Sequence, residues 1–336
     1  MESKGLFEIK VDRCIFKNKE NTIIIAIYVD DGLIIGENME DIRKVLKSIK
    51  DYFEMTINEN PSMYVGMGIN LDNNQLTLSQ EHYIDQLLKN LHMENSKPVN
   101  TPIAVTSNVE HEESEKTFPY RQAVGSLLYL SNKTRPDIAF GVNFSSRYLE
   151  KPSDKNIQDV KRILRYLNGS REKMISFKKD SKCMKLIAYC DADFAGDLET
   201  RKSTTGFIIM YAGGPISWCS RKQPITALST TEAEFIAAAD CIKELVHLKQ
   251  ILEEISGEKI ECELNIDNQN AIQIIKNKQL NRRTKHIDVR YHFIWEKVTL
   301  HEIKINYISS SEQTADIFTK TLDKIKFQKF SDTLMT

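Results

Sequence analysis

Five apolar, strand-like runs in the C-terminal half, and the unequal connections between them, constrain the fold of this chain most strongly. The runs lie near residues 185–190, 206–212, 215–220, 260–266 and 303–308. The first three follow one another through short connections, with Gly213-Gly214 as a hairpin turn, so they are predicted to be antiparallel. Each of the last two follows a helix and joins the sheet after a crossover. The sequence predicts an α/β domain with a mixed five-stranded sheet and flanking helices.

Four carboxylates occur where these elements would direct them at one point. Asp191 directly follows the first strand, Asp267 ends the fourth, and Asp316 follows the fifth, near the start of a last short helix. Glu234 lies one turn inside the long helix 231–255 and borders its sheet-facing stripe. Converging carboxylates suit a pair of Mg²⁺ ions, which can activate water against a phosphodiester. These four residues are candidate metal ligands.

Each of these carboxylates taken alone is more often a solvated charge, because 47 of the 336 residues are Asp or Glu. The order of the set favours a site: a strand-end Asp, a helix Glu, a second strand-end Asp and an Asp by a helix start. Asp193 lies two positions beyond Asp191 and shares its side only if the strand continues. Asp193 is therefore a reserve ligand.

The N-terminal third contains a second pair of carboxylates, within the apolar stretch 23–36. Two strands joined at Asp30-Asp31-Gly32 are predicted to form a β-hairpin, because Asp-Gly favours the positive φ angles of a tight turn. The same turn residues are equally common in hairpins that have no catalytic or binding role. The pattern by itself predicts only the hairpin.

The stretches around the four C-terminal carboxylates resemble the ribonuclease H domain of copia-type retrotransposon polyproteins. The matching stretches, in order, are YCDADFAG (189–196), RKSTTGF (201–207), STTEAEF (229–235), IDN (266–268), TKHID (284–288) and ADIFTK (315–320). The resemblance implies that Asp191, Glu234, Asp267 and Asp316 are the catalytic metal ligands. It also implies two Mg²⁺ ions as cofactors, for which Mn²⁺ is expected to substitute.

The stretch Tyr28-Val29-Asp30-Asp31 is similar to the catalytic hairpin of a reverse transcriptase from the same elements. The resemblance implies that Asp30 and Asp31 are metal ligands of a polymerase palm. Such a palm needs a third carboxylate from an upstream strand, and none of the 29 residues before Asp30 stands in that context. Polymerase activity is not expected from this chain alone.

The resemblance extends along the chain and implies four parts. They are a partial reverse transcriptase palm (1–97), a linker (98–118), a helical thumb and connection (119–180) and a ribonuclease H-like domain (181–336). The linker prediction rests on the mixture of proline, serine and acidic residues in 98–117, which lacks any periodicity and indicates a mobile segment. Three helices are predicted for the thumb, near 119–130, 135–149 and 154–167.

Two basic clusters are candidate nucleic-acid contacts. The thumb helices carry basic residues interleaved with tyrosines, an arrangement along which a nucleic-acid backbone could lie. The basic residues are Arg121, Arg135, Arg147, Lys161, Arg162 and Arg165, of which Arg121 and Arg165 are the leading candidates. The second cluster contains Arg282, Arg283, Lys285 and His286. A solvated helix surface explains the first cluster equally well.

Composition and charge limit the class of protein. The net charge of −1 carries no global basic signature, so a nucleic-acid surface must be local. Six cysteines without metal-finger spacing argue against zinc, and no run approaches the roughly 18 apolar residues of a membrane span. The expected location is intracellular: cytoplasmic, in a retroelement particle, with access to the nucleus.

The leading hypothesis is a Mg²⁺-dependent ribonuclease H that cuts the RNA strand of an RNA/DNA hybrid. The expected partners are the hybrid and either the upstream reverse transcriptase portion or a second copy of the chain. The alternative is a nucleic-acid-binding remnant of a copia-type element without catalytic activity. Transposase or integrase chemistry is disfavoured, because those sites use three carboxylates in a different order.

Overall fold

The computed structural model describes residues 5–72, 74–104, 118–179, 185–277 and 288–336, and the strands within these ranges form three sheets. The first group of elements comprises β1 (Leu6–Glu8), β2 (Ile15–Asn18), β3 (Ile23–Tyr28), β4 (Asp31–Gly36) and helix α1 (Met39–Lys50). The strands form an antiparallel sheet in the order β1-β2-β3-β4. Leu6, Ile23, Ile25 and Ile49 form a small core between this sheet and α1.

The predicted hairpin of residues 23–36 is confirmed, but its turn lies one position earlier than predicted. Tyr28 pairs with Asp31, so the turn consists of Val29 and Asp30, and Val29 adopts a φ of 55°. Gly32 is inside β4, where it pairs with Ile27. The strand register, rather than the Asp-Gly pair, therefore determines where the chain reverses.

The second group of elements joins another antiparallel sheet to a helical bundle. Its elements are β5 (Met63–Tyr64), β6 (Met67–Asp72), β7 (Gln75–Ser79), α2 (Glu81–Asn90), α3 (Tyr120–Lys133), α4 (Ala139–Ser146), α5 (Asp154–Asn168) and β8 (Ile175–Lys178). The sheet order is β5-β6-β7-β8, so β8 returns after the bundle to pair with β7. The three predicted thumb helices are present as α3, α4 and α5.

The first residues of the predicted linker are packed rather than mobile. Thr101 and Pro102 are buried. The Thr101 hydroxyl accepts a hydrogen bond from Arg162 (3.0 Å) and donates one to the carbonyl of Ile103 (3.0 Å). Ile103 lies against Gly141 of α4. Apolar contacts with the bundle thus order residues 98–104, which composition alone did not indicate, and residues 105–117 lie outside the described ranges.

The third group of elements forms the mixed sheet predicted from the connections. It contains β9 (Lys185–Asp193), β10 (Thr204–Tyr211), β11 (Gly214–Lys222), α6 (Thr230–Ser256), β12 (Glu261–Ile266), α7 (Gln269–Asn277), α8 (Asp288–Thr299), β13 (Lys304–Tyr307) and α9 (Lys324–Leu334). The strand order is β11-β10-β9-β12-β13. The first three strands are antiparallel, whereas β12 runs parallel to both β9 and β13. The predicted fold class is confirmed.

The turn between β10 and β11 is also shifted by one residue. Tyr211 pairs with Gly214, so the two turn residues are Ala212 and Gly213, with φ angles of 52° and 84°. Two consecutive positive φ angles are typical of a tight hairpin turn. Gly214 is already in β11 and needs to be small for another reason, since a Cβ there would lie 2.4 Å from the carbonyl oxygen of Ser176.

The mixed sheet has a separate core on each face. Phe207 and Ile209 of β10 pack with α6 and β12, whereas Ile208, between them, belongs to the core of α3, α4 and α5. This alternation follows from the period of two along a strand. Phe327 and Phe330 of α9 join the bundle core. In the described part of the chain, no helix has the length and apolar character to cross a membrane.

Candidate active site

Three of the four predicted carboxylates converge at one edge of the mixed sheet. Asp191 of β9, Glu234 of α6 and Asp267, directly after β12, each place a carboxylate oxygen within 4.8 Å of the other two. β9 and β12 are parallel neighbours, so their C-terminal ends meet at the same edge. Asp191 and Glu234 are buried and Asp267 is half-buried. The set is therefore shielded from water yet accessible from one side.

Asp191 lies inside β9 rather than directly after it. The strand continues to Asp193 because β10 pairs with it as far as that residue: Asp191 pairs with Gly206 and Asp193 with Thr204. Asp193 is consequently on the same side of the strand as Asp191 and is half-buried. It lies outside the group of three, which leaves its role as a reserve ligand a prediction.

The electrostatics of the three carboxylates fit a cation. Burial raises the pKa of Asp191, although Lys320 opposes the shift, and burial together with Asp191 and Asp267 raises the pKa of Glu234. Glu234 Oε2 is buried without a hydrogen-bond partner. A buried, unpaired carboxylate oxygen is costly unless a partner satisfies it. An oxygen-ligated divalent ion is such a partner, so the residues present fit Mg²⁺ or Mn²⁺.

Asp316 lies beside this group and is bound to lysines. It sits in a 3₁₀ helix, Thr314–Phe318, and is fully buried. Lys320 Nζ lies 2.7 Å from Asp316 Oδ1, and Lys326 Nζ lies 2.5 Å from Asp316 Oδ2. Lys320 Nζ also lies 3.5 Å from Asp191 Oδ2. The fourth carboxylate is thus linked to the other three through an ammonium group, and its role as a metal ligand stays a prediction.

Short contacts from neighbouring elements orient the carboxylates. Thr319 Oγ1 donates a hydrogen bond to Asp191 Oδ2. Ser310, after β13, donates one to Asp267 Oδ2 at 2.7 Å, and Gln313 Nε2 donates one to the carbonyl of Cys190 at 3.0 Å. The segment 309–320 is therefore fastened to the ends of β9 and β12.

Gly206 permits the close approach of the 3₁₀ helix to the sheet. A Cβ at this position would lie 2.5 Å from Thr319 Cγ2 and 2.8 Å from Phe318 Cβ. Sequence reasoning assigned no role to Gly206, Thr319 or Lys320. All three lie in the stretches RKSTTGF and ADIFTK, and this was the one sign in the sequence that they could matter. Their roles could not be predicted, because their contacts across the site join residues more than a hundred positions apart.

Asp30 and Asp31 do not belong to this group of carboxylates. Both are exposed at the tip of the β3-β4 hairpin. The group of Asp191, Glu234 and Asp267 is the set of three metal-ligating side chains that the described residues bring together, and it includes neither of them. Their role as metal ligands stays a prediction.

The first basic cluster is only partly a surface. Arg121 is exposed, and Arg165 donates to the carbonyl of Lys97 at 2.7 Å. Arg135, which was predicted to lie on this face, is instead fully buried in an ion pair with Asp137 at 2.7 Å. Arg147 pairs with Asp197 at 3.2 Å. Two of the predicted surface arginines are therefore paired with buried carboxylates. Helical spacing could not reveal this pairing.

The second basic cluster falls outside the described residues. Arg282, Arg283, Lys285 and His286 lie between α7 and α8, in the range 278–287. Nothing in the structure tests their predicted contact with nucleic acid.

The chain is similar in sequence to a family of reverse transcriptases and to transposon polyproteins. A family described as "Reverse transcriptase (RNA-dependent DNA polymerase)" matches residues 4–105. The chain is 40% identical to the "Retrovirus-related Pol polyprotein from transposon TNT 1-94" of Nicotiana tabacum, over 98% of this chain and 26% of that protein. It is 34% identical to the corresponding polyprotein from transposon RE2 of Arabidopsis thaliana, over 94% of this chain and 22% of that protein. The chain spans about a quarter of the length of these relatives.

Among solved structures, a foamy viral protease-reverse transcriptase in complex with double-stranded DNA is similar at a TM-score of 0.48 and 13% identity. The similarity covers 85% of this chain and 46% of that one.

Proposed function

Because the chain belongs to the Pol polyproteins of copia-type retrotransposons, we propose that it is a Mg²⁺-dependent ribonuclease H that cuts the RNA strand of an RNA/DNA hybrid. The observation that carries the proposal is the convergence of Asp191, Glu234 and Asp267 within 4.8 Å, with one buried oxygen of Glu234 unpaired. Phosphodiester hydrolysis needs such a set of oxygen ligands.

The residues of the site have different proposed roles. Asp191, Glu234 and Asp267 would hold the metal, which when bound activates water and stabilises the charge of the reacting phosphate. Thr319 and Ser310 hold the carboxylates of Asp191 and Asp267 in place by donating hydrogen bonds to them. Glu234 is also the candidate contact for the ribose 2′-hydroxyl, the group that distinguishes RNA from DNA.

Cleavage of an end-labelled RNA/DNA hybrid tests the proposal. The full chain is expected to cut the RNA strand with Mg²⁺ and not with EDTA. Asp191→Asn is expected to slow cleavage at least about 100-fold, because it weakens a metal site worth several kcal/mol to the transition state. The matched control is Asp240→Asn, which alters a largely buried carboxylate of α6 that lies outside the group of three and pairs with Arg221 at 2.8 Å, and it is expected to leave the rate unchanged.

Two results would contradict the proposal. Cleavage by Asp191→Asn at the rate of the unmodified chain would remove Asp191 from the site. Intact RNA, combined with salt-sensitive binding of the hybrid, would favour the alternative of a nucleic-acid-binding protein without turnover.

A further inference from the structure

Gln223 is a buried amide side chain that links three elements around the group of carboxylates. It directly follows β11 and is 1% exposed. Its Nε2 donates hydrogen bonds to Thr205 Oγ1 of β10 and to the carbonyl of Ala233 in α6, both at 3.0 Å. Its backbone N–H donates to the carbonyl of Ser203 at 2.8 Å. One residue therefore joins the end of β11, the start of β10 and the start of α6.

Each side-chain hydrogen bond of this glutamine ends next to one of the converging carboxylates. Ala233 directly precedes Glu234 in α6. Thr205 is paired across the sheet with the residue that follows Asp191 in β9. The amide thus connects the part of the helix that carries one candidate ligand to the part of the sheet that carries another.

The amide of Gln223 has one favourable orientation. The carbonyl of Ala233 can only accept hydrogen bonds, so the NH₂ group of the amide must face it. In this orientation Oε1 is buried, and no donor in the described part of the chain reaches it. A buried acceptor without a donor is unfavourable. The two donated hydrogen bonds, rather than Oε1, therefore account for the position of this side chain.

The start of α6 needs such a link because the carboxylates of the group repel one another. Glu234 shares the group with Asp191 and Asp267, and its Oε2 has no hydrogen-bond partner. The buried apolar residues at this end of the helix form a small cluster: Ala192, Ala227, Ala233, Ile236 and Ala237. Alanine side chains permit close approach but make few dispersion contacts. The hydrogen bonds of Gln223 add a directional constraint that these contacts lack.

We propose that Gln223 is a positioning residue of the metal site. Its two hydrogen bonds hold the start of α6 against β10, so that the carboxylate of Glu234 faces the divalent ion together with Asp191 and Asp267. Gln223 is not itself a ligand, and it acts on metal affinity through the position of Glu234, as hydrogen-bonded neighbours of metal ligands commonly do. This inference rests on the proposed function.

Titration of the full chain with Mn²⁺, followed by electron paramagnetic resonance, tests the proposal without reference to activity. Gln223→Met keeps the length of the side chain but removes both N–H donors. It is expected to weaken Mn²⁺ binding by about 10–100-fold, the usual effect of losing a group that orients a metal ligand. Thr205→Val removes one of the two acceptors and keeps the branched shape, so it is expected to weaken binding by a smaller factor.

Hydrogen exchange in EDTA provides a second measurement that needs no metal. The amide hydrogens of residues 233–237 are expected to exchange faster in Gln223→Met than in the unmodified chain. Those of residues 244–255, in the second half of the same helix, are expected to keep their rates. A loss of overall stability alone would accelerate exchange in both segments.

The matched control is Ser217→Ala. Ser217 also lies on β11, and its hydroxyl donates a hydrogen bond to α6, at Glu244 Oε1 (2.9 Å), which lies outside the group of carboxylates. Its replacement removes a bond between the same two elements and is expected to leave the Mn²⁺ affinity unchanged. A circular-dichroism spectrum of each variant checks that it has folded.

The outcomes separate this inference from the proposed function. Unchanged Mn²⁺ affinity in folded Gln223→Met, or equal weakening in Ser217→Ala, would overturn the role of Gln223. If Gln223→Met does not fold, unchanged affinity in Thr205→Val would overturn it instead. Mg²⁺-dependent cleavage of the hybrid by the unmodified chain would still support the proposed function in each case. Intact RNA, combined with Mn²⁺ binding that falls in Gln223→Met, would overturn the proposed function alone.

Discussion

At the scale of single residues, the site stores electrostatic repulsion that a metal relieves. The folded-state pKa of Glu234 is raised above its usual value of 4.5 by burial and by Asp191 and Asp267. The folded state therefore retains a proton that the unfolded state releases, and metal-free stability falls as the pH rises above about 4.5. Glu234→Gln removes this penalty and is expected to stabilise the metal-free protein at pH 8 by at least about 1 kcal/mol, or about 2–4 °C.

Thermal unfolding in EDTA at pH 5 and pH 8 provides the measurement. Glu244→Gln serves as the control on the same helix, since the Glu244 carboxylate accepts a hydrogen bond from Ser217 at 2.9 Å, and its removal offers no such gain. The electrostatic account would be contradicted if Glu234→Gln were less stable than the unmodified chain at pH 8. It would also be contradicted if the stability of the variant changed with pH as much as that of the unmodified chain.

At the scale of elements, the contact between β10 and the 3₁₀ helix Thr314–Phe318 shapes the site. Gly206 faces this helix, and an added Cβ would meet Thr319, Phe318 and the carbonyl of Ala315 at 2.5–3.1 Å. Because short side chains and backbone cannot move aside, Gly206→Ala is expected to displace the helix, to cost about 1–3 kcal/mol of stability and to weaken cleavage of the hybrid.

Gly125→Ala is the matched control, because a Cβ at Gly125 in α3 meets nothing within 4 Å. An alanine within a helix is expected to be neutral or stabilising by about 0.5–1 kcal/mol. Denaturant unfolding of both variants, with hybrid cleavage measured in parallel, tests the comparison. Equal stability and activity in Gly206→Ala would show that the helix tolerates displacement.

At the scale of the whole molecule, the helical bundle packs against one face of the mixed sheet and shares the core on that face. Phe327 of α9 packs edge-to-face on Tyr166 of α5, with ring centroids 5.5 Å apart. Trp218 Nε1 of β11 donates to the carbonyl of Ser131 in α3 at 2.6 Å. Phe327→Ala is therefore expected to cost about 3–5 kcal/mol and to lower the stability of bundle and sheet together.

Hydrogen exchange can follow α5 and β9 separately in this variant. Both elements are expected to lose protection to the same degree, whereas Ile325→Ala, on the exposed side of α9 (83% exposed), is expected to change stability by less than about 0.5 kcal/mol. Loss of protection in α5 alone would mean that the two parts unfold independently.

The sequence by itself determined the five strands of the mixed sheet, their directions and four candidate carboxylates, of which the structure brings three together. These depend on local features: apolar periodicity, turn residues and the lengths of connections, which together dictate the meeting of β9 and β12 at one edge. The chain reversals at Val29-Asp30 and Ala212-Gly213 were each displaced by one residue, because strand pairing sets the register.

Only the tertiary structure decided which charges are paired. Arg135 is buried against Asp137, and Lys320 lies between Asp191 and Asp316, although sequence patterns alone suggested a surface arginine and gave Lys320 no role. Contacts such as Thr319 to Asp191 join residues 128 positions apart. Ion pairing depends on distances of a few ångströms and on burial, and these exist only once β10, the 3₁₀ helix and α9 have packed together.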